Sequence, residues 1–468
     1  MNVDDLAWQA HTLLGVPPNL ARTLITHGHL EVVIQAARER EDWHCAEAAA
    51  EALSADGRFE RALEVLAPFT ATGWNHSRWV TADVMTRQGR GDEALTLMRP
   101  DTEQRTDEHY CARYAELAAN VGRADDAVTV LTPHLDKAWL LDKLVEATKG
   151  GDRDEQVLQL LYRALESATD WPGPARWEVL LHIAAVLERT GRASEAVALL
   201  REETAVGDHH PLNFPEYYAA LLARQGLTEE LAALAADNYH LVGAYTAALT
   251  RAGREPETEA LLRERVTVHN HDHDRVRLMT LLGAQGRIDE AVEVGLPACE
   301  DHDHGGVVHQ LIGLLVDDGR PGRALEVLDN LTGWWVEGHP EDVQHMRLWL
   351  LGQAGRHTEA IALATALPQD EPGQWDESIA ALLQGDGRIE EAVTLLRSSP
   401  HRSAANLLAD LLARTGRPAE AIAAVPTTAD QRAAYEQRQR EWKEADPWGI
   451  AAALARMEQN EQGPEKTQ

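Results

Sequence analysis

Apolar residues in this chain recur at helical rather than alternating spacing, and the helical stretches are broken at regular intervals by glycine. The segment Ile183 to Leu187 shows the pattern: its apolar positions fall on one face of a helix, and Gly191 follows shortly after. A chain leaving an α-helix often adopts a left-handed conformation that glycine tolerates best, so each such glycine predicts a helix end. An acidic pair comes next, as in Asp92-Glu93 and Glu390-Glu391. Placed in the first turn of a second helix, it meets the positive end of that helix's dipole. Helix, glycine turn and second helix form the predicted unit.

The unit repeats along the chain. Its glycines are Gly28, Gly57, Gly89, Gly122, Gly151, Gly191, Gly226, Gly253, Gly286, Gly319, Gly355, Gly387 and Gly416, at a mean spacing of about 32 residues. Intervals run from 27 residues (Gly226 to Gly253) to 40 (Gly151 to Gly191). Arg follows the glycine in ten of the thirteen units, and Ala stands five residues after it in nine. Eleven units carry Val, Leu or Ile one position further on, and ten carry Leu four residues before the glycine. Alanine at a fixed position lets the paired helices approach closely, and the Leu and Val columns fill the space between them. Pro68, Pro100, Pro133 and Pro297 each lie eleven residues after a glycine, and are expected to mark the exit of the second helix.

A single hairpin buries only one face, so many must stack. The expected fold is all-α, an α-solenoid (superhelix) of about thirteen helix-turn-helix repeats over residues 16–428, built as one continuous rod. Residues 1–15 are expected to form an N-terminal capping helix. Residues 429–459 are expected to form C-terminal capping helices, the second from about Trp448 to Met457, ahead of a disordered tail at 460–468. The longest interval holds Trp171-Pro172-Gly173-Pro174, a loop or a bend.

Unit Gly89-Arg90-Gly91-Asp92-Glu93-Ala94-Leu95 resembles the mid-repeat turn of tetratricopeptide repeats, as do most other units. The small residue seven before the glycine (Ala50, Ala82, Ala115, Ala184, Ala219, Ala380 and Ala409) is similar to that family's first helix, and the resemblance spans roughly residues 15 to 428. It implies a repeat scaffold. Leu stands where the family often has Tyr, and proline arrives about a turn and a half early. These departures leave the superhelix pitch open, and no partner class carries over by residue.

Composition sharpens the functional expectation. Asp and Glu total 76 against 44 Lys and Arg, a net charge of −32. Such a field repels phosphate backbones and anionic lipid, so neither nucleic acid nor membrane is expected as a partner, and a basic protein or peptide is. The same acidity would also serve only to keep a surface-rich array soluble. Lysine occurs five times, a skew expected of a GC-rich bacterial genome. Cys45, Cys111 and Cys299 have no pairing or metal-site spacing. The opening Met-Asn-Val-Asp-Asp lacks the basic and apolar regions of a signal peptide, and no apolar run approaches a membrane span. A cytoplasmic location is expected.

Two clusters stand out. His269, His271, Asp272, His273 and Asp274 are echoed by Asp301, His302, Asp303 and His304, at matching distances from their glycines. Stacking would place His269, His271, His302 and His304 on one edge, where imidazole and carboxylate could hold zinc or nickel; the plainer reading has the aspartates capping helices and the histidines exposed. Among the tryptophans, Trp43, Trp74, Trp139, Trp177 and Trp375 start first helices and are expected to wedge between units. Aromatics outside that pattern are better candidates for binding. The expected partner surface is therefore Trp79, Asp83, His345 and Trp349 on concave-face first helices, together with Trp334 and Trp335, which packing under their own loop would instead remove. No phosphate-binding loop, metalloprotease or serine-nucleophile motif is present, so no catalytic residue and no cofactor is assigned. The expected function is a non-catalytic scaffold holding a protein or peptide. A helical-repeat enzyme or metal-dependent sensor using the His/Asp edge, and an acidic inhibitor or immunity-type protein covering a basic partner, remain as alternatives.

Overall fold

The computed structural model describes residues 2–444, apart from 13, 169–173, 207–210, 300–304, 333, 370 and 402. Among the described residues all regular structure is helical. The hairpin of helices Trp43–Ala55 and Phe59–Thr70 shows how each turn is made. Gly57 is left-handed at φ 72, and nothing lies within 4 Å of the position its Cβ would take. The glycine is required by the backbone angle rather than by crowding. It lets the Arg58 amide donate back to the Leu53 carbonyl at 2.7 Å while the Gly57 amide donates to Ser54 at 3.1 Å. These two bonds satisfy carbonyls that the helix end would otherwise strand. The same return bond closes the turns at Arg192 onto Leu187 and Arg417 onto Leu412, both at 2.8 Å. The Leu column therefore supplies the accepting carbonyl as well as a core side chain.

One turn departs from the sequence reading. The left-handed residue is Gly150, at φ 80, and not Gly151. Gly151 and Asp152 are inserted between it and Arg153, which caps the helix Asp154–Glu166. The inserted pair shifts the turn by one residue.

The arginine after the glycine sits at the N-cap, yet its side chain makes no capping bond in the helices that begin after Arg58, Arg356 and Arg417. It clamps the acid three residues on instead. Arg90 pairs with Glu93 at 2.7 Å, Arg192 with Glu195, Arg356 with Glu359 and Arg388 with Glu391. The other member of the acidic pair receives the arginine of the following repeat: Arg153 meets Asp125, Arg320 meets Asp289 at 2.8 Å, and Arg417 meets Glu390 at 3.0 Å. One carboxylate closes its own turn and its neighbour ties the next repeat. These pairs are exposed, so each contributes little alone.

Packing holds the array. All nine column alanines, from Ala62 to Ala421, are fully buried. A larger side chain in these nine units would have to be accommodated by shifting the packed helices. Trp43 is buried and packs edge-on against Phe69 and Trp74, with ring centroids 5.7 Å and 4.9 Å away. Trp375 is buried and donates its indole N–H to the Pro368 carbonyl at 2.9 Å, while Trp74, Trp139 and Trp177 are half-buried. Two prolines depart from their expected role: Pro68 and Pro297 lie inside helices Phe59–Thr70 and Ile288–Cys299. Each falls in the final turn, where the lost N–H removes one bond near an end already fraying.

The chain divides into two compact units, one of residues 1–97 with 368–468 and the other of residues 98–367. In the first, the two chain ends meet. Helix Pro18–Thr26 packs on helix Ala404–Arg414, and Leu30–Glu39 on Pro418–Ala424. The first repeat thus sits where a successor to the last would sit. Arg40 donates to the carbonyls of Ile422, Val425 and Pro426 at 2.7, 3.0 and 2.6 Å, taking the acceptors left at a helix end. Gln431 exchanges two bonds with the Gly15 backbone, and Arg432 pairs with Asp5 at 2.6 Å beside a Trp8–Tyr435 edge contact. Helices Val3–Thr12 and Thr428–Glu444, expected as caps, lie in the same unit. The expected second C-terminal helix and tail fall outside the described residues.

In the second unit, Gly305 to Leu367 continues the hairpin pattern through helices Gly305–Asp317, Pro321–Asn330, Pro340–Gln353 and His357–Ala366. No helix among the described residues is long and apolar enough to cross a membrane.

Two outcomes test this account. Arg40→Ala should destabilise the first unit by about 2 kcal/mol, the scale of lost charge-assisted bonds. It should also speed amide exchange across Thr428–Glu444; unchanged exchange there would contradict the junction. Glu259 accepts across repeats from Arg287 and, on its own helix, from Arg263, and these bonds hold its carboxyl down at about 2. A depressed carboxyl contributes stability above its unfolded value that is lost as pH falls through its folded value. Glu259→Gln should therefore be less stable at neutral pH, with the difference closing between about pH 4.5 and 2 in thermal melts.

Candidate functional site

The structure sorts the tryptophans by burial. Trp79, on helix Asn75–Arg87, is only 5% exposed, and Trp335 only 3%. Both were expected on a partner surface, and both are corrected to core positions. Trp335 packs against His309 and His339, with centroids 5.9 Å and 6.0 Å away, so a large apolar ring was resolved inward by its own loop and the preceding repeat. The side chain of Trp334 falls outside the described residues. Asp83, His345 and Trp349 are exposed.

Trp349 and His345 share one helix face. The helix Pro340–Gln353 starts with proline at its first position and Glu341 and Asp342 in its first turn. Its inner face buries Val343, Leu348, Leu350 and Leu351. Asp342, His345 and Trp349, spaced by three and four residues, therefore project together on the opposite side. Arg347 fixes the helix laterally by pairing at 2.8 Å with Asp329 on the preceding second helix. Trp349 is 46% exposed, comparable to Trp442 on helix Thr428–Glu444 at 48%. The arrangement places an aromatic face beside a carboxylate on a held helix, which suits a cationic or amphipathic segment. Asp83 occupies the matching position, six residues before its glycine, in the other unit.

The histidine edge is only half described. His269 and His271 are exposed and stack at 5.9 Å, with Tyr239 6.0 Å from His271. His302 and His304 lie outside the described residues. Among the described residues no three His, Cys, Asp or Glu side chains are gathered to share a metal ion. Asp274 belongs to a different arrangement from the one its sequence neighbourhood suggested. It is 2% exposed and accepts from Arg265 at 2.9 Å and Arg277 at 3.4 Å. Buried Arg275 beside it donates to the Asn270 side chain and the Val294 carbonyl. Asn270 itself is left-handed, at φ 52, and ends the preceding helix in place of a glycine. The segment is a paired ionic corner between two helices. Sequence spacing gave no signal of it, because Arg265 and Arg277 lie off the repeat columns.

The geometry defines a class: an all-α helical-repeat protein. The sequence profile of the Tetratrico peptide repeat family matches residues 145–236. That segment resembles tetratricopeptide repeats, and the hairpins on either side of it follow the same glycine-turn pattern. No curated protein matches it in sequence. Among solved structures it is similar to Naa15/Naa10 bound to HypK-THB, at 16% identity over 87% of this chain and 67% of that one, with a TM-score of 0.42. It is also similar to the pentatricopeptide repeat protein PPR10 from maize, at 16% identity over 80% and 62%, with a TM-score of 0.33. The APC/C hetero-tetramer Cut9-Hcn1 aligns at 14% identity over 93% of each chain, with a TM-score of 0.24. These likenesses concern the helical repeat and nothing finer.

Removing one partner of a buried ion pair strands the other, at a cost of about 3 kcal/mol. Asp274→Ala should lower stability on that scale, read by chemical denaturation of the full chain. A change no larger than that of an exposed control such as Asp289→Ala would show the pairing to be inert.

Proposed function

We propose that this chain is a non-catalytic scaffold that binds a protein or peptide segment of basic character along the exposed faces of its first helices. The reading rests on one observation: Trp349 stays 46% exposed on a helix whose other face is well packed and laterally tied. A preordered aromatic loses little freedom on contact, which is what an anchor residue requires. Asp342 and His345 on the same face supply polar partners around it. The net charge of −32 would accelerate encounter with a cationic partner and discourage nucleic acid. Asp83 offers a carboxylate at the equivalent place in the other unit. An inhibitor that covers a basic protein would use the same surface, so that function is one form of this reading.

Affinity capture from the native cell, followed by mass spectrometry, identifies the partner for measurement. Trp349→Ala should weaken its binding at least tenfold, about 1.4 kcal/mol, and raising salt from low to moderate should slow association. Binding indifferent to both changes would overturn the proposal.

A further inference from the structure

Arginine in this protein is generally held by carboxylate, at the turns and between repeats. One cavity breaks that rule. A hollow of about 410 Å³ in the unit of residues 98–367 is lined by Arg99, Arg105, Arg123, Tyr114 and Asp126, with Pro133 on its wall. Its elements come from consecutive segments. Arg99 follows the short helix Gly91–Leu97, and Arg105 lies in the turn Gln104–Thr106. Tyr114 is on helix Glu108–Asn120, and Arg123 precedes helix Ala124–Leu131. Asp126 pairs with Arg123 at 3.1 Å. Arg99 and Arg105 make no ion pair among the described residues. Three guanidiniums therefore face one carboxylate, in a chain whose acids outnumber its bases 76 to 44.

Tyr114 is the floor of the hollow. Its ring is 7% exposed, and Arg99 and Arg123 line the same hollow. Burial, then the nearby Asp126 carboxylate, holds the phenol proton more tightly than usual. A phenol that keeps its proton can donate to an anion in the hollow. Guanidinium presents a planar fork that matches the oxygens of phosphate.

We propose that this cavity binds a phosphomonoester. The surplus of two positive charges matches a group that carries close to −2 at neutral pH. A single carboxylate would balance half of it. The volume lies within the range of small-ligand sites, so the hollow admits the phosphate together with part of what bears it, against Pro100, Val130 and Pro133. This site is separate from the Trp349 face and does not depend on it. The phosphate could belong to a free small molecule or to a phosphorylated side chain of a peptide.

Titration calorimetry of the full chain with phenyl phosphate, O-phosphoserine and a phosphoserine peptide tests the proposal. At least one should bind, and sulfate at equal concentration should compete. Arg99→Gln combined with Arg105→Gln should weaken that binding at least tenfold, and these exposed positions should leave the helical circular dichroism and melting temperature unchanged. Tyr114→Phe should weaken it by a smaller factor. Binding of the small phosphates identifies a free ligand, and binding of the peptide alone identifies a modified partner; either supports the site. No binding of any probe, or binding untouched by the double substitution in a folded protein, overturns it.

Discussion

Each hairpin depends on a helix end that reverses within three residues without leaving polar backbone unsatisfied. At Gly57 the left-handed backbone aims the next amide back at the Leu53 carbonyl, and the second helix begins at once. A side chain at that glycine would oppose the backbone angle, and loss of the bond would strand a carbonyl near the core. Because the reversal is so tight, the two helices are brought together at their ends, and nine of the thirteen units place alanine where they meet. The complete burial of Ala62, Ala196 and Ala392 follows from the turn.

The arginine and the acidic pair convert a local turn into a stack. Glu391 holds Arg388 within one turn while Glu390 receives Arg417 from the next. Exposed pairs of this kind add little stability each. Their value lies in register: opposite charges meet only when successive repeats are correctly offset. The apolar columns supply most of the free energy, and the charged ladder selects among ways of spending it. In the first unit the same offset is satisfied between the first repeat and the last, where Arg40 and Gln431 supply the polar bonds that the ladder supplies elsewhere.

Burial separates residues that look equivalent in sequence. Trp79 and His345 stand at the same distance from their glycines, yet one is in the core and the other exposed. The difference arises from neighbouring repeats, whose side chains decide whether a position is roofed. Trp335 is buried for the same reason, by rings from His309 and His339. Asp274, read first as part of a histidine-rich edge, is claimed by Arg265 of the preceding helix and Arg277 of its own.

The amino-acid pattern alone determined the helical hairpin, its glycine turn, the close approach at alanine and the family resemblance, since all of these arise within one repeat and recur at every copy. The one shift, from Gly151 to Gly150, came from a two-residue insertion that the column alignment absorbed. Tertiary structure decided the meeting of the chain ends, the fate of each irregular tryptophan and the gathering of Arg99, Arg105 and Arg123 around Tyr114. Those depend on contacts between neighbouring repeats and, in the first unit, between residues far apart in the chain. A periodic code specifies how one hairpin meets the next, but which irregular side chain is covered depends on neighbours that no single repeat contains.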